Sequence, residues 1–188
     1  AVTVATLGAL GQLTRADVDV HAVALAIVRR IQGRGSGADL AASLYGGCVA
    51  YRVDPTLIEP VPEPPPLSLR YTGYKTPTAV VLAQVAEARA GREAEFDALY
   101  AEMGKVAEAT IAEARRGWGE VGPLLAEYQE LMRRLGVSDE TIEGIIAEAG
   151  VTACKISGSG LGDCVLALGA RPEGFVEAPL AREGLRFE

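Results

Sequence analysis

Lys155-Ile156-Ser157-Gly158-Ser159-Gly160-Leu161-Gly162-Asp163-Cys164 lies between two apolar runs of β character, Val151 to Ile156 and Cys164 to Leu168. Three glycines at alternate positions between strands mark a tight turn with an open backbone. Glycine is required where φ is positive, or where another backbone or a phosphate comes close. Successive N–H groups in such a turn can form an anion-binding concavity. A plain glycine-rich hairpin satisfies the same pattern. A second glycine-rich stretch, Gly33 to Gly47, is what separates the two readings.

Composition narrows the field. A chain of 188 residues makes one domain or two small ones, long enough to bury a core. A formal net charge of −7 argues against nucleic acid or an anionic membrane surface as the main partner, while a local basic pocket for an anionic metabolite stays open. Cys48, Cys154 and Cys164 show no metal-ligand spacing, and an odd count without a framework suits a reducing compartment. His21 is the one histidine, so a zinc site or a Ser-His-Asp triad would have to be built on it alone; within an apolar helical pattern it reads as a packed or surface residue. No run of about 18 apolar residues and no signal peptide is visible, so the chain reads as soluble and cytoplasmic, without a membrane partner.

Going outward from the turn, helices are predicted over Ala1–Leu13 and Ala16–Ile31, the second with Thr14 as its cap. Arg29, Arg30 and Arg34 read as its solvated, cationic end. Leu40–Tyr45 forms a short helix that Gly46-Gly47 stops, and Cys48–Arg52 a strand. Asp39 stands where that short helix starts; local sequence favours a helix cap or first-turn acid, with a chemical role as the alternative. Residues 60–66, with Pro60, Pro62, Pro64, Pro65 and Pro66, form a stiff connector and the best domain boundary. The expected division is 1–59, the connector 60–66, and 67–188.

Beyond the connector, Leu67–Tyr71 is a strand, and Pro77 opens a helix capped by Thr76. Phe96, Leu99, Tyr100, Met103, Val106, Thr110 and Ile111 form one helical stripe. Val121, Leu124, Leu125, Tyr128, Leu131, Met132 and Leu135 form a second, both of them core faces. Ser138 can cap a short helix bearing Ile142, Ile145 and Ile146, and Leu185-Arg186-Phe187 can add a last strand. Strands joined by a hairpin or by helices on one face predict an α+β sandwich.

Gly35-Ser36-Gly37-Ala38-Asp39-Leu40-Ala41-Ala42-Ser43-Leu44-Tyr45-Gly46-Gly47 and the Lys155–Cys164 stretch together resemble two signatures of the GHMP kinases. That superfamily includes galactokinase, homoserine kinase, mevalonate kinase and phosphomevalonate kinase. The order of the signatures and the helical filler between them match as well. The mevalonate-pathway members are nearest, and the Gln32–Gly37 lead-in and the Gly162-Asp163-Cys164 ending lean towards phosphomevalonate kinases. Leu161 stands where the family usually continues in glycine.

The resemblance implies a two-lobe fold: the remainder of an N-terminal lobe followed by a ferredoxin-like C-terminal sandwich. It implies transfer of the ATP γ-phosphate to mevalonate, with phosphomevalonate, a sugar or homoserine as alternative acceptors. ATP and Mg²⁺ are the implied cofactors, with no metal ligand assigned in this chain, and a small-molecule acid or phosphate is the implied partner. A homodimer is left open. Asp39 would be catalytic; Gly158, Ser159, Gly160 and Gly162 would shape the nucleotide side; Ser36, Gly37, Arg34 and Lys75 would contact substrate. The family's ATP loop normally precedes a helix like Ala1–Leu10, so the chain is expected to be the C-terminal two thirds of such an enzyme. A noncatalytic ligand-binding or dimerisation module on the same fold is the reading from a different class.

Overall fold

The computed structural model describes residues 1–33 and 35–186, with only the backbone of Gln32. Its contacts divide the chain into two units, Ala1–Glu63 together with the segment from Leu180, and Pro64–Pro179.

The first unit holds helices α1 (Val2–Thr14), α2 (Val20–Gln32) and α3 (Ala38–Tyr45) and the antiparallel hairpin β1 (Cys48–Val53) and β2 (Thr56–Val61). Its core gathers Val4, Ala24 and Leu40, flanked by Leu7, Leu25, Val28 and Leu185. Helix α2 starts four residues later than expected. Thr14 ends α1, donating its hydroxyl to the Leu10 carbonyl, and Asp19 caps α2 by accepting from the Ala22 N–H at 2.9 Å. The segment from Leu180, expected with the second unit, belongs to the first. The Leu185 N–H donates to the Leu44 carbonyl at 3.0 Å and the Gly47 N–H to the Ala181 carbonyl at 2.7 Å. No strand forms at Leu185-Arg186, and Phe187, which the expected strand included, lies outside the described residues.

The second unit is a four-stranded antiparallel sheet in the order β4 (Cys154–Ser157), β5 (Gly162–Leu168), β3 (Leu67–Lys75), β6 (Val176–Glu177). Helices α4 (Thr78–Arg89), α5 (Glu93–Arg115), α6 (Val121–Arg134) and α7 (Glu140–Ala149) lie between β3 and β4 in the chain. Side chains alternate across a strand, so Cys154 and Ile156 of β4 share one face with Val165 and Ala167 of β5. Those four are buried together with Val81 of α4, Met132 of α6 and Ile142 and Ile145 of α7. The two predicted stripes meet as core, Leu99 and Val106 of α5 packing with Leu131 of α6.

Strand β4 is a sheet edge, where alternate residues turn both main-chain groups outward. Ile156 is such a residue, and both of its groups are answered by side chains. Its N–H donates to Gln129 Oε1 at 2.9 Å, and its carbonyl accepts from the Lys155 ammonium. Gln129 is only 3% exposed, and its amide donates in turn to Ser138 Oγ at 3.1 Å and Glu143 Oε1 at 3.0 Å. Ser138 is therefore occupied, and Asp139 takes the capping role predicted for it, accepting from the Ile142 N–H at 3.0 Å. At α4, Pro77 rather than Thr76 is the cap residue, without a side-chain bond.

Candidate functional site

Asp39 lies in the first turn of α3, exposed to solvent. Of the two structural roles expected from local sequence, Asp39 takes that of first-turn acid and not that of cap: Gly37 holds the cap position with a φ of 88°, and the Ser36 hydroxyl just before it accepts from the Ala38 N–H at 3.4 Å. The carboxylate is left without a structural hydrogen bond among those of the helix start, while the Asp39 carbonyl accepts from Ser43 Oγ at 2.8 Å.

What holds the start of α3 is a set of side chains closing on Gly35-Ser36-Gly37. Arg29 Nε donates to the Gly35 carbonyl at 3.2 Å, the Tyr51 hydroxyl to the Ser36 carbonyl, and His21 Nε2 lies 3.3 Å from the Gly37 carbonyl. A β-carbon on Gly37 would crowd the Tyr51 hydroxyl and Leu25 at 3.0 Å and His21 Nε2 at 3.3 Å, and the φ of 88° strains any other residue there. Burial pushes the Tyr51 phenol above its ordinary pKa; the Arg29 charge opposes this and the Asp39 charge adds to it. Sequence reasoning passed over Tyr51 and treated Arg29 as solvated. His21 carried a legible signal, since His21, Ala24, Leu25 and Val28 follow the helical period of a buried stripe. Arg34 lies outside the described residues.

The second unit carries the glycine turn. Gly160 is pressed against the residue before Ser138: a β-carbon there would stand 2.2 Å from the Val137 carbonyl oxygen. A β-carbon on Gly162 would stand 2.8 Å from the Tyr74 ring. The Leu161 N–H donates to the Val137 carbonyl at 2.8 Å, so it is engaged within the protein. Gly158 differs: its φ is 92°, and a β-carbon added there would meet nothing within 4 Å. Ser159 Oγ lies 3.5 Å from Thr78 Oγ1 at the start of α4, which puts two hydroxyls beside the open glycine.

Lys75 has a partner within its own unit. Its ammonium donates to Asp163 Oδ2 at 2.6 Å, and this bond, with the Asp163 charge, raises the Lys75 pKa. Arg70 is paired with Glu148 at 2.7 Å, and Arg52 Nε donates to the Pro55 carbonyl at 3.3 Å. Among the described residues no three His, Cys, Asp or Glu side chains converge as metal ligands, and no helix is long and apolar enough to cross a membrane. A cavity of about 510 Å³ in the first unit runs between α1, the end of α3 and residues 181–186, and among the described residues none of the predicted site residues lines it.

Comparison with known proteins gives this geometry a context. Residues 106–182 match the family model described as GHMP kinases C terminal. The whole chain aligns with a mevalonate kinase of Archaeoglobus fulgidus at 30% identity, covering 66% of that protein. It aligns with a mevalonate kinase of Thermococcus sibiricus at 29% identity, covering 63%. The chain thus spans a little under two thirds of the length of these relatives. Among solved structures, L. major mevalonate kinase in complex with R-mevalonate matches with a TM-score of 0.71 and 25% identity, over 89% of this chain and 55% of that one. A Lin0012 protein from Listeria innocua shares the fold with a TM-score of 0.82 at 20% identity, over 94% of this chain and 63% of that one.

Proposed function

We propose, given that the chain belongs to the GHMP kinase superfamily, that it forms the larger part of an ATP-dependent kinase whose acceptor is mevalonate. The observation that carries this reading is the likeness to mevalonate kinases along the full length of the chain. The exposed, uncapped carboxylate of Asp39 supports it independently, because a carboxylate spent on capping would be poorly placed for chemistry.

Phosphoryl transfer asks a protein mainly to position groups and to balance charge. In this reading Asp39 takes the proton of the acceptor hydroxyl as the oxygen attacks the γ-phosphorus. A new O–P bond forms, the bond to the bridging oxygen breaks, and ADP departs with that electron pair. Ser36 and Gly37 line the acceptor side. Gly158 and Ser159 face the nucleotide, where the open space at Gly158 and the neighbouring Thr78 hydroxyl fit a polyanion edge. Gly160 and Gly162 support that turn from behind. The donor is ATP as its Mg²⁺ complex; the described residues offer no converging ligand set, and no step is assigned to a metal held by this chain. Lys75 serves the substrate acid group only on release from Asp163, which makes it a weaker candidate than Ser36 and Gly37.

The test uses the complete encoded protein with ATP, comparing ADP release on mevalonate and on phosphomevalonate. Faster turnover on mevalonate is expected; preference for phosphomevalonate would move the acceptor assignment to the phosphorylated acid. Asp39→Asn should lower kcat by roughly 10²–10⁴-fold without loss of fold. Near-normal turnover of the folded variant retires Asp39 from the chemistry. No ADP release with any acceptor, and no heat on titration with ATP, would favour the noncatalytic binding module.

A further inference from the structure

We propose that His21 and Tyr51 are positioning residues for phosphoryl transfer, gripping the main chain just ahead of Asp39 so that its carboxylate leaves α3 at one fixed angle. The inference rests on the catalytic reading of Asp39 and deepens it.

The geometry carries the argument. Among the described residues no hydrogen bond or ion pair holds the Asp39 carboxylate, and the one side chain bonded to the start of α3, Ser36 at 3.4 Å from the Ala38 N–H, is itself part of the segment before it. The helix is eight residues long, too short to set its own first turn by helical cooperativity. The direction of the Asp39 side chain is therefore set by whatever fixes residues 35–37. Three consecutive carbonyls there are each met by a donor from elsewhere in the unit: Gly35 by Arg29, Ser36 by Tyr51, Gly37 by His21.

The Gly37 carbonyl has a double duty. It accepts the first helical bond, from the Ala41 N–H at 2.9 Å, and on its other side it meets His21 Nε2. A carbonyl can only accept, so this contact is a hydrogen bond when Nε2 carries a proton, which is the form the positioning role requires. The ring is 6% exposed and packs edge-on against Tyr51, with centroids 5.6 Å apart at 62°. Each ring thus restrains the other, and the two together restrain adjacent peptide units. Gly37 completes the grip by letting both side chains close on the main chain, since a β-carbon there would stand 3.0 Å from the Tyr51 hydroxyl and 3.3 Å from His21 Nε2.

A purely structural role would cost stability and leave the turnover of the folded protein alone. The experiment therefore separates the two on the complete encoded protein, with kcat and KM for ATP measured well below each variant's Tm. Tyr51→Phe removes one hydroxyl and keeps the ring. It should lower kcat roughly tenfold, because an ångström of misplacement at a reacting group costs one to two orders of magnitude, while KM for ATP stays within about twofold. His21→Leu should lose at least as much. His21→Gln, whose amide can still donate, should recover most of that loss. In the parent protein, ¹⁵N NMR of the ring should show a pyrrole-type Nε2.

Asp39→Asn is measured alongside. If that variant turns over normally, the catalytic assignment itself has failed and this inference goes with it. If Asp39→Asn is inactive while Tyr51→Phe stays within about twofold of the parent kcat, only the positioning role is overturned. A loss in Tyr51→Phe wholly explained by KM for ATP overturns it too. Should His21→Leu fail to fold, Tyr51→Phe decides alone.

Discussion

Replacing Gln129 should unfasten the edge of the second unit's sheet. In Gln129→Met the volume is kept and three hydrogen bonds vanish: one accepted from the Ile156 N–H, and two donated, to Ser138 and Glu143. Ile156 is fully buried, so its outward N–H is left without a partner, at a cost of about 1–3 kcal/mol. Ser138 and Glu143 keep each other and Arg133, so their loss is smaller. The expected sum is about 2–3 kcal/mol, a sizeable share of the roughly 5–15 kcal/mol that holds a domain folded. Gln129→Ala adds a cavity at a buried site and should cost about 2 kcal/mol more, or above. Urea unfolding at pH 7, followed by circular dichroism, reads both.

A second readout is acid unfolding. Burial pushes the Glu143 carboxyl up, but the Ser138, Gln129 and Arg133 bonds outweigh it and hold the pKa below its ordinary value. A depressed carboxyl contributes stability above its unfolded pKa and loses it as pH falls through the folded one. Removing Gln129 should therefore shrink the acid-dependent part of stability. Gln129→Glu should be worse at pH 7 than at pH 4, because it sets a second carboxylate against Glu143. A Gln129→Met protein within about 0.5 kcal/mol of the parent, with an unchanged acid limb, would refute the reasoning.

The glycine turn and Lys155 give further tests. Gly160→Ala should destabilise by about 3 kcal/mol or more, since the added carbon meets the Val137 carbonyl oxygen at 2.2 Å and φ is 86°. Gly158→Ala should cost only the backbone strain of about 1–2 kcal/mol, and should instead raise KM for ATP; thermal unfolding and steady-state kinetics on the two variants check this. Burial lowers the Lys155 pKa to about 8, so its charged form is penalised in the folded protein. The unfolded chain holds that proton to higher pH, so stability rises from about pH 8 upward. Above pH 9 the buried Cys154 thiol, pushed up to about 11, works in the opposite direction. Between pH 8 and 9 the parent should gain up to about 1 kcal/mol on Lys155→Met, measured by urea unfolding.

Much of the second unit was legible because its signals are local. The α5 and α6 stripes and the β4–turn–β5 unit follow from residues a few positions apart; the stripes form where the periodicity puts them, while β4 begins at Cys154, three residues into the apolar run from Val151. Strand β2 was missed because Pro60 argued against a strand. It sits opposite Val49 in a two-stranded hairpin, where a missing donor is tolerated. At α2 and α7 the cap shifted because two competent residues compete: Thr14 precedes Asp19, and Ser138 precedes Asp139 but is drawn to Gln129 and Glu143. Around Asp39 the sequence marks the glycines but not their clamps. Tyr51 is 15 residues from Ser36, and Asp163 is 88 residues from Lys75, so only folding introduces these partners.

The turn at 158–162 also changes what a glycine signature can tell a reader of sequences. Two of its three glycines are dictated by neighbours behind them, one by a main-chain oxygen and one by an aromatic ring. Both are fixed by packing whatever the turn contacts, because a β-carbon at either position would displace a main-chain oxygen or an aromatic ring. Position 158 has no neighbour within 4 Å of an added β-carbon, so there it is the backbone φ of 92° and not packing that favours glycine.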